Sequence, residues 1–295
     1  EQIDKKKWDD CINTAGNGLI YAYADYLDAM SKHWDALVLD DYKAVMPLTY
    51  NKKYGVYYLY QPPFTASLGV FGNGLSADII DEFLNSIPEK FRYWDIYLNH
   101  GNYFQLKRFN LYERMNYILT LNNSYENIYV HFRDNIKRNI KKCEQAGTVI
   151  KKNIPVKDVI ALSRERSQAI AGYTEKDFVN VSQLYEILHA RQKAITYGIY
   201  NSSNRLMASA AFFFSHKRAY YILVGNDPDG KTMGASHALI NAFIKDHAAQ
   251  DLMLDFEGSD VPSLAFFYSS FGSSEERYPG LKMNRLPFWM KLFKK

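Results

Sequence analysis

Two stretches of this chain, about 160 residues apart, pass through the same succession of patterns, and that repetition limits the folds open to it. In the first half a helical spacing over 18–30 leads to short strand-like runs at 34–39, 43–50 and 56–60. A Pro/Gly-rich loop, a helix over 77–86 and a last run at 93–98 follow. In the second half a helical segment at 178–191 leads to runs at 195–200, 206–214 and 219–224, then a Gly/Asp/Pro loop, a helix over 235–248 and a run at 252–257. Ser76 is placed to cap the first-half helix, and Pro47 weakens the second run as a strand. The order predicts two copies of an α-β-β-β-α-β unit. The fold expected is mixed α/β, with two tandem domains at 1–147 and 148–295, each a mixed, mainly antiparallel sheet flanked by helices.

A chain with 47% hydrophobic and 23% charged residues has enough apolar surface to bury a core, which excludes a disordered chain. No run of about 18 apolar residues stands ready to cross a membrane, and residues 1–7 lack a signal peptide's apolar segment, so a cytoplasmic setting is expected. Cys11 and Cys143 lie far apart, and the seven histidines form no HxH or HExxH pair, so neither a disulfide framework nor a metal site is expected. A net charge of +4 is too small to indicate nucleic acid by itself; only local clustering can. Such a cluster exists at 133–146. There Ile136, Ile140 and Cys143 form a narrow apolar stripe, Arg133, Lys137, Arg138, Lys141 and Lys142 cover the rest, and Gly147 ends the helix. This is either the solvated face of a connecting helix or a surface that attracts phosphate, as tRNA or a nucleotide-linked substrate would require.

The richest stretch for chemistry runs from Val224 through Lys231, Thr232, Met233, Gly234 and Ala235 to Ser236, between a strand and an apolar helix. Main-chain N–H groups and the helix dipole converge at such a place, as a pyrophosphate site needs; Gly234 admits close approach and Lys231 adds a cation. Residues 225–232 also spell a P-loop string, but Asp227 and Asp229 would repel phosphate and Pro228 removes a donor. A capped helix behind an ordinary turn is the alternative. In the first half, Gly69, Gly72 and Gly74 occupy the corresponding place, as a second phosphate site or a flexible turn. At the end of the last run Asp255 and Glu257 share one strand face, as general bases or as caps. Tyr268, on a helix at 262–270, is either a phenol able to donate a proton or one more core ring.

The stretch Lys231-x-x-Gly234-x-Ser236 between strand and helix, with Tyr268-x-x-x-Gly272 beyond the next strand, resembles the core of the GNAT N-acyltransferase superfamily. The tandem order, Arg138-Asn139-Ile140-Lys141-Lys142-Cys143, Asp255-Phe256-Glu257-Gly258 and Phe267-Tyr268-Ser269-Ser270-Phe271-Gly272 resemble the Fem-type aminoacyltransferases of bacterial cell-wall synthesis. Ser236 and Lys231 depart from the usual Gly/Ala and Arg/Gln of the GNAT phosphate loop. The resemblance implies an acyl donor, acyl-CoA (acetyl-CoA) in GNAT enzymes and aminoacyl-tRNA in Fem enzymes, held by residues 231–236 beside Val224. It also implies an amine acceptor, small or a cell-wall precursor, and a proton donor at Tyr268. Three functions stay open: an acyl-CoA-dependent N-acyltransferase, a tRNA-dependent aminoacyltransferase and a non-catalytic tandem-GNAT binding protein.

Overall fold

The computed structural model describes residues 2–258 and 260–287, with side chains left out over 165–171. The chain divides into two compact units, one of residues 1–115 and 277–295, the other of residues 116–276. This division does not follow the 147/148 boundary expected from the sequence. The basic helix, placed at the end of the first domain by its position after the first repeat, packs within the second unit.

The first unit opens with a helix that alternation alone does not reveal, α1 (Lys5–Thr14), because only Trp8, Cys11 and Ile12 of its ten residues are buried. Asp4 caps it, accepting from the Lys6 and Lys7 amides. The helix expected over 18–30 is shorter. A single 3-10 turn covers Ile20–Ala22 and α2 spans Ala24–Met30, since Tyr23 is extended and the Asp9 carboxylate accepts from the Ala24 amide at 2.8 Å. Strands β1 (His33–Leu39), β2 (Ala44–Lys53) and β3 (Val56–Tyr60) form antiparallel neighbours. A short β4 (Phe71–Gly72) pairs with the start of β2. Helix α3 (Ala77–Asn85), capped by Ser76 as expected, then carries the chain to β5 (Phe91–Tyr97), parallel to β3. Pro47 sits in β2 at no cost in hydrogen bonding, because between Val45 and Tyr50 that strand has a ladder partner only in β1. The core lies on the α3 side of the sheet, around Met46, Leu59, Ile80, Phe83, Phe91 and Trp94.

The chain passes to the second unit within β6 (Leu111–Thr120) and continues through α4 (Tyr125–Tyr129), α5 (Asp134–Gln145), β7 (Val149–Lys152), α6 (Val156–Ala171) and α7 (Glu175–Ala190). Next come β8 (Ala194–Tyr200), β9 (Leu206–Ser215) and β10 (Arg218–Asn226), successive antiparallel neighbours as expected. Helices α8 (Pro228–Met233) and α9 (Ala235–His247) lead to β11 (Met253–Asp255), parallel to β10, then to α10 (Pro262–Ser269) and β12 (Ser274–Asn284). Beyond Glu276, β12 belongs to the first unit and pairs there with β5. The second-unit sheet is clad on both faces. Phe243 of α9 stacks on Phe212 at 3.8 Å, while Tyr185 of α7 packs against Phe213, the next residue along β9 and therefore on the opposite face. The shared order β-β-β-α-β, with the last strand parallel to the third, is the repeat read from the sequence.

Candidate active site

In the second unit β10 and β11 pair over only three residues, from Arg218↔Met253 to Tyr220↔Asp255. Beyond that point they part. The β10 ladder with β9 slips between Tyr221 and Leu223, which marks a bulge at Ile222, and continues through Val224↔Ala210 to Asn226. On the other side β11 ends, the Phe256 amide bonds to the Tyr117 carbonyl, and Glu257 and Gly258 turn away with φ of +62° and +81°. The β11-facing edge of residues 221–226, Val224 among them, is therefore not taken up by a strand among the described residues. In the first unit the corresponding gap is filled. Past the β3/β5 pairing, Gln61 bridges the Tyr97 amide and the Thr65 carbonyl, and the Leu68 amide bonds to the Tyr97 carbonyl at 2.8 Å.

The first-unit glycine loop is also committed elsewhere. The buried side chains of Asn17, Asn99 and Asn102 converge on the Val70 carbonyl, while Asn102 and Asn17 accept from the Val70 and Gly72 amides. Gly69 is needed because a Cβ there would run into the Asn102 side chain. Amides spent on asparagines are not a phosphate cradle.

The open edge of β10 leads into the segment that carries the P-loop string, which folds as helix α8 and not as a cradle. Asp227 caps α8 through the Asp229 amide, and Arg205 pairs with both carboxylates. Although its partial burial works the other way, Arg205 and the amides hold the Asp227 pKa below the usual aspartate range. Gly230 lies against the Met207 carbonyl of β9, where no Cβ fits. Gly234 ends α8 and begins α9 with φ +83°, and a Cβ there would meet the Asn139 carbonyl of α5 at 2.6 Å. Its glycine is thus required by helix packing, and a larger side chain would strain the fold rather than leave it intact, as a purely ligand-facing glycine would. Lys231 and Thr232 are exposed, Met233 is half-buried and Ala235 is buried. Ser236 bonds to Asn226 at the end of β10, and no side chain caps α9.

Asp255 is enclosed. At 4% exposure its Oδ2 accepts from Arg218 at 2.8 Å, and its Oδ1 accepts from the Asn116 side chain and the Glu257 amide. Arg218 also grips Glu276 through both terminal nitrogens, at 2.8 and 2.5 Å. Burial alone would discourage the guanidinium charge, but the Glu276 hydrogen bonds and the two carboxylates outweigh it and raise the arginine pKa above its ordinary value. With both oxygens occupied, Asp255 orients the strand end; Glu257, half-buried beside it, is the carboxylate nearer solvent. Sequence reasoning misses Arg218, which falls between the runs expected at 206–214 and 219–224 and is the first residue of β10. The available signal was an arginine opening an otherwise apolar strand.

Tyr268 lies one helix beyond. It is 8% exposed and its ring stacks on Phe256 at 4.7 Å. Phe267 and Phe271 extend the cluster to His237 on the first turn of α9, a residue the sequence reading did not single out. Its Nδ1 is buried without a partner among the described residues, and burial lowers its pKa to about 4, so the imidazole is neutral at physiological pH. A polar ring on the first turn of an apolar helix was the signal. The basic helix α5 buries Ile136, Ile140 and Cys143 as expected and packs on α9; Lys142 bonds to the Thr232 carbonyl at 2.8 Å. Among the described residues no cluster of His, Cys, Asp or Glu is arranged to hold a metal ion, and no helix is long and apolar enough to cross a membrane.

Residues 130–262 match the family model described as an acetyltransferase (GNAT) domain. No curated protein matches the sequence. Among solved structures the chain is similar to FemX, with a TM-score of 0.67 at 12% identity over 95% of this chain and 96% of that one. It is also similar to a conserved protein of unknown function from Bacteroides thetaiotaomicron, with a TM-score of 0.60 at 12% identity over 95% and 98%. L-PGS from Bacillus licheniformis gives a TM-score of 0.55 at 13% identity over 99% and 96%. At these identities the likeness is one of fold.

Proposed function

We propose that this chain, an acyltransferase whose GNAT domain sits on a FemX-like fold, takes its acyl group from acyl-CoA in the gap between β10 and β11 and passes it to an amine. The single observation that supports this most is the contrast between the two repeats: the strand gap is filled by residues 61–70 in the first unit and left open in the second. An extended pantetheine-like chain finds main-chain partners along that edge, and the diphosphate falls at the uncapped start of α9, near Lys231. Amides near Val224 polarise the thioester carbonyl. The amine attacks that carbon, its proton passes to Glu257 or to water, and the tetrahedral intermediate expels the thiolate, which Tyr268 protonates. Asp255 acts as a positioning residue. The setting is cytoplasmic, which suits the two buried free thiols.

Thermal-shift titration with CoA and acetyl-CoA tests the reading, because a ligand specific for the native state stabilises it by about 2.7 kcal/mol at 100 times its Kd. Lys231→Glu, at an exposed position, should weaken CoA by about tenfold, roughly 1.4 kcal/mol, with unliganded stability unchanged. Absence of any CoA-dependent stabilisation of the unaltered protein would refute the acyl-CoA donor.

A specific observation favours aminoacyl-tRNA as the second reading. Residues 133–145 carry five cations against two carboxylates, and neither Arg138 nor Lys141 makes an ion pair among the described residues. Tight binding of charged tRNA with a steep salt dependence, together with no response to CoA, would establish it. In that reading the acceptor is a cell-wall-precursor amine.

A further inference from the structure

Val130 and Phe266, 64% and 55% exposed, are the most exposed large apolar side chains of the second unit among the described residues. Phe266 stands apart from its neighbours, since Phe267 and Tyr268 of α10 and Phe271 just beyond it all join the aromatic cluster. Arg133 lies over its ring, with the guanidinium carbon 4.9 Å from the centroid, and makes no ion pair among the described residues. The contact is built in from both sides: the Arg133 amide donates to the Ser270 carbonyl at 2.9 Å, and the Phe266 carbonyl accepts from the Ser269 and Ser270 hydroxyls. A flat ring beside an unneutralised guanidinium is a surface for a nucleobase.

Helix α5 joins this surface to the start of α9. Arg133 stands at its beginning; a little over one and a half turns on, Asn139 lies against Gly234, and almost a turn further Lys142 holds the Thr232 carbonyl. Six residues of helix rise about 9 Å, the order of the separation between the base and the diphosphate of a nucleotide. The side chains along that path are mostly cationic: Lys137, Arg138 and Lys141, with Asp134 the acidic residue near the surface.

We infer that Phe266 and Arg133 form a stacking shelf for the adenine nucleotide of CoA, whose phosphates run along α5 to the start of α9. The inference rests on the acyl-CoA reading and adds to it the residues that recognise the nucleotide.

Calorimetric binding of CoA and of 4′-phosphopantetheine, which lacks the nucleotide, tests it on the intact chain. The unaltered protein should bind CoA more tightly. Phe266→Ala and Arg133→Ala should each weaken CoA by about 5- to 50-fold and leave 4′-phosphopantetheine unchanged, while Phe266→Trp retains CoA binding. Unchanged CoA affinity in both alanine variants, or equal loss for both ligands, overturns the shelf but not the donor reading. Binding of neither ligand by the unaltered protein overturns both. An RNA hairpin ending in CCA that loses affinity in Phe266→Ala while CoA does not would assign the shelf to RNA and overturn the proposal.

Discussion

Tyr268→Phe is expected to lower turnover by about 10²- to 10⁴-fold while leaving the fold and the donor affinity in place. The ring stacks on Phe256 at 4.7 Å and phenylalanine keeps that contact, so the folded state loses at most one hydrogen bond, worth about 0.5 to 1.5 kcal/mol. The chemistry loses much more. A thiolate leaving an intermediate needs a proton, and Tyr268, 8% exposed, brings a phenol to the cluster that adjoins the strand gap through Phe256, where Tyr221 of β10 is the other phenol. Steady-state kinetics on the identified acceptor, with CoA affinity measured in parallel, separates the roles. Normal kcat in a folded Tyr268→Phe protein would make Tyr268 a structural ring and leave the leaving group to solvent.

Arg218→Ala should cost about 3 to 5 kcal/mol of stability, the largest structural effect expected in the second unit. The guanidinium is 8% exposed and is shared by Asp255 and Glu276, so its removal leaves two carboxylates enclosed together without a countercharge. Arg218→Lys keeps the charge but cannot reach both carboxylates through a planar fork, and should fall between. Urea denaturation at neutral pH measures the loss. Acidification should narrow the gap between variant and parent, since protonating a carboxylate removes the uncompensated charge. A loss below about 1 kcal/mol would mean that the cluster is hydrated and that Asp255 is not held by it.

Strand order was legible because alternation and punctuation are local. The runs at 56–60 and 206–214 and the helices at 77–86 and 235–248 match β3, β9, α3 and α9 to within a residue or two. The misses have physical causes. Helix α1 buries only one narrow edge, so most of its residues read as polar loop. Helix α8 hides in a string of Gly, Asp and Pro because Asp227 is its cap, Pro228 its first residue and Gly230 the point of contact with β9, three roles that each look like loop chemistry out of context. The return of β12 to the first unit is a long-range pairing that no local pattern encodes.

Of the candidate site, the segment from Val224 to Ser236 and the strand end at Asp255 and Glu257 were visible as an ordered set. Their division of labour was not. That Asp255 is tied to Arg218 and enclosed while Glu257 is only half-buried depends on Asn116 and Glu276, far away in sequence. The glycines at 69 and 234 looked alike as phosphate-loop residues, yet each is set by its own close neighbour, Asn102 in one case and Asn139 in the other.

The central claim is that the donor occupies the open strand gap of the second unit and has no counterpart in the first. Hydrogen–deuterium exchange of backbone amides, with and without saturating CoA, reads both halves at once. The account predicts added protection at residues 221–226 and 234–238 and none at 61–72. Protection at 61–72, or no change at 221–226 under saturation, would contradict it.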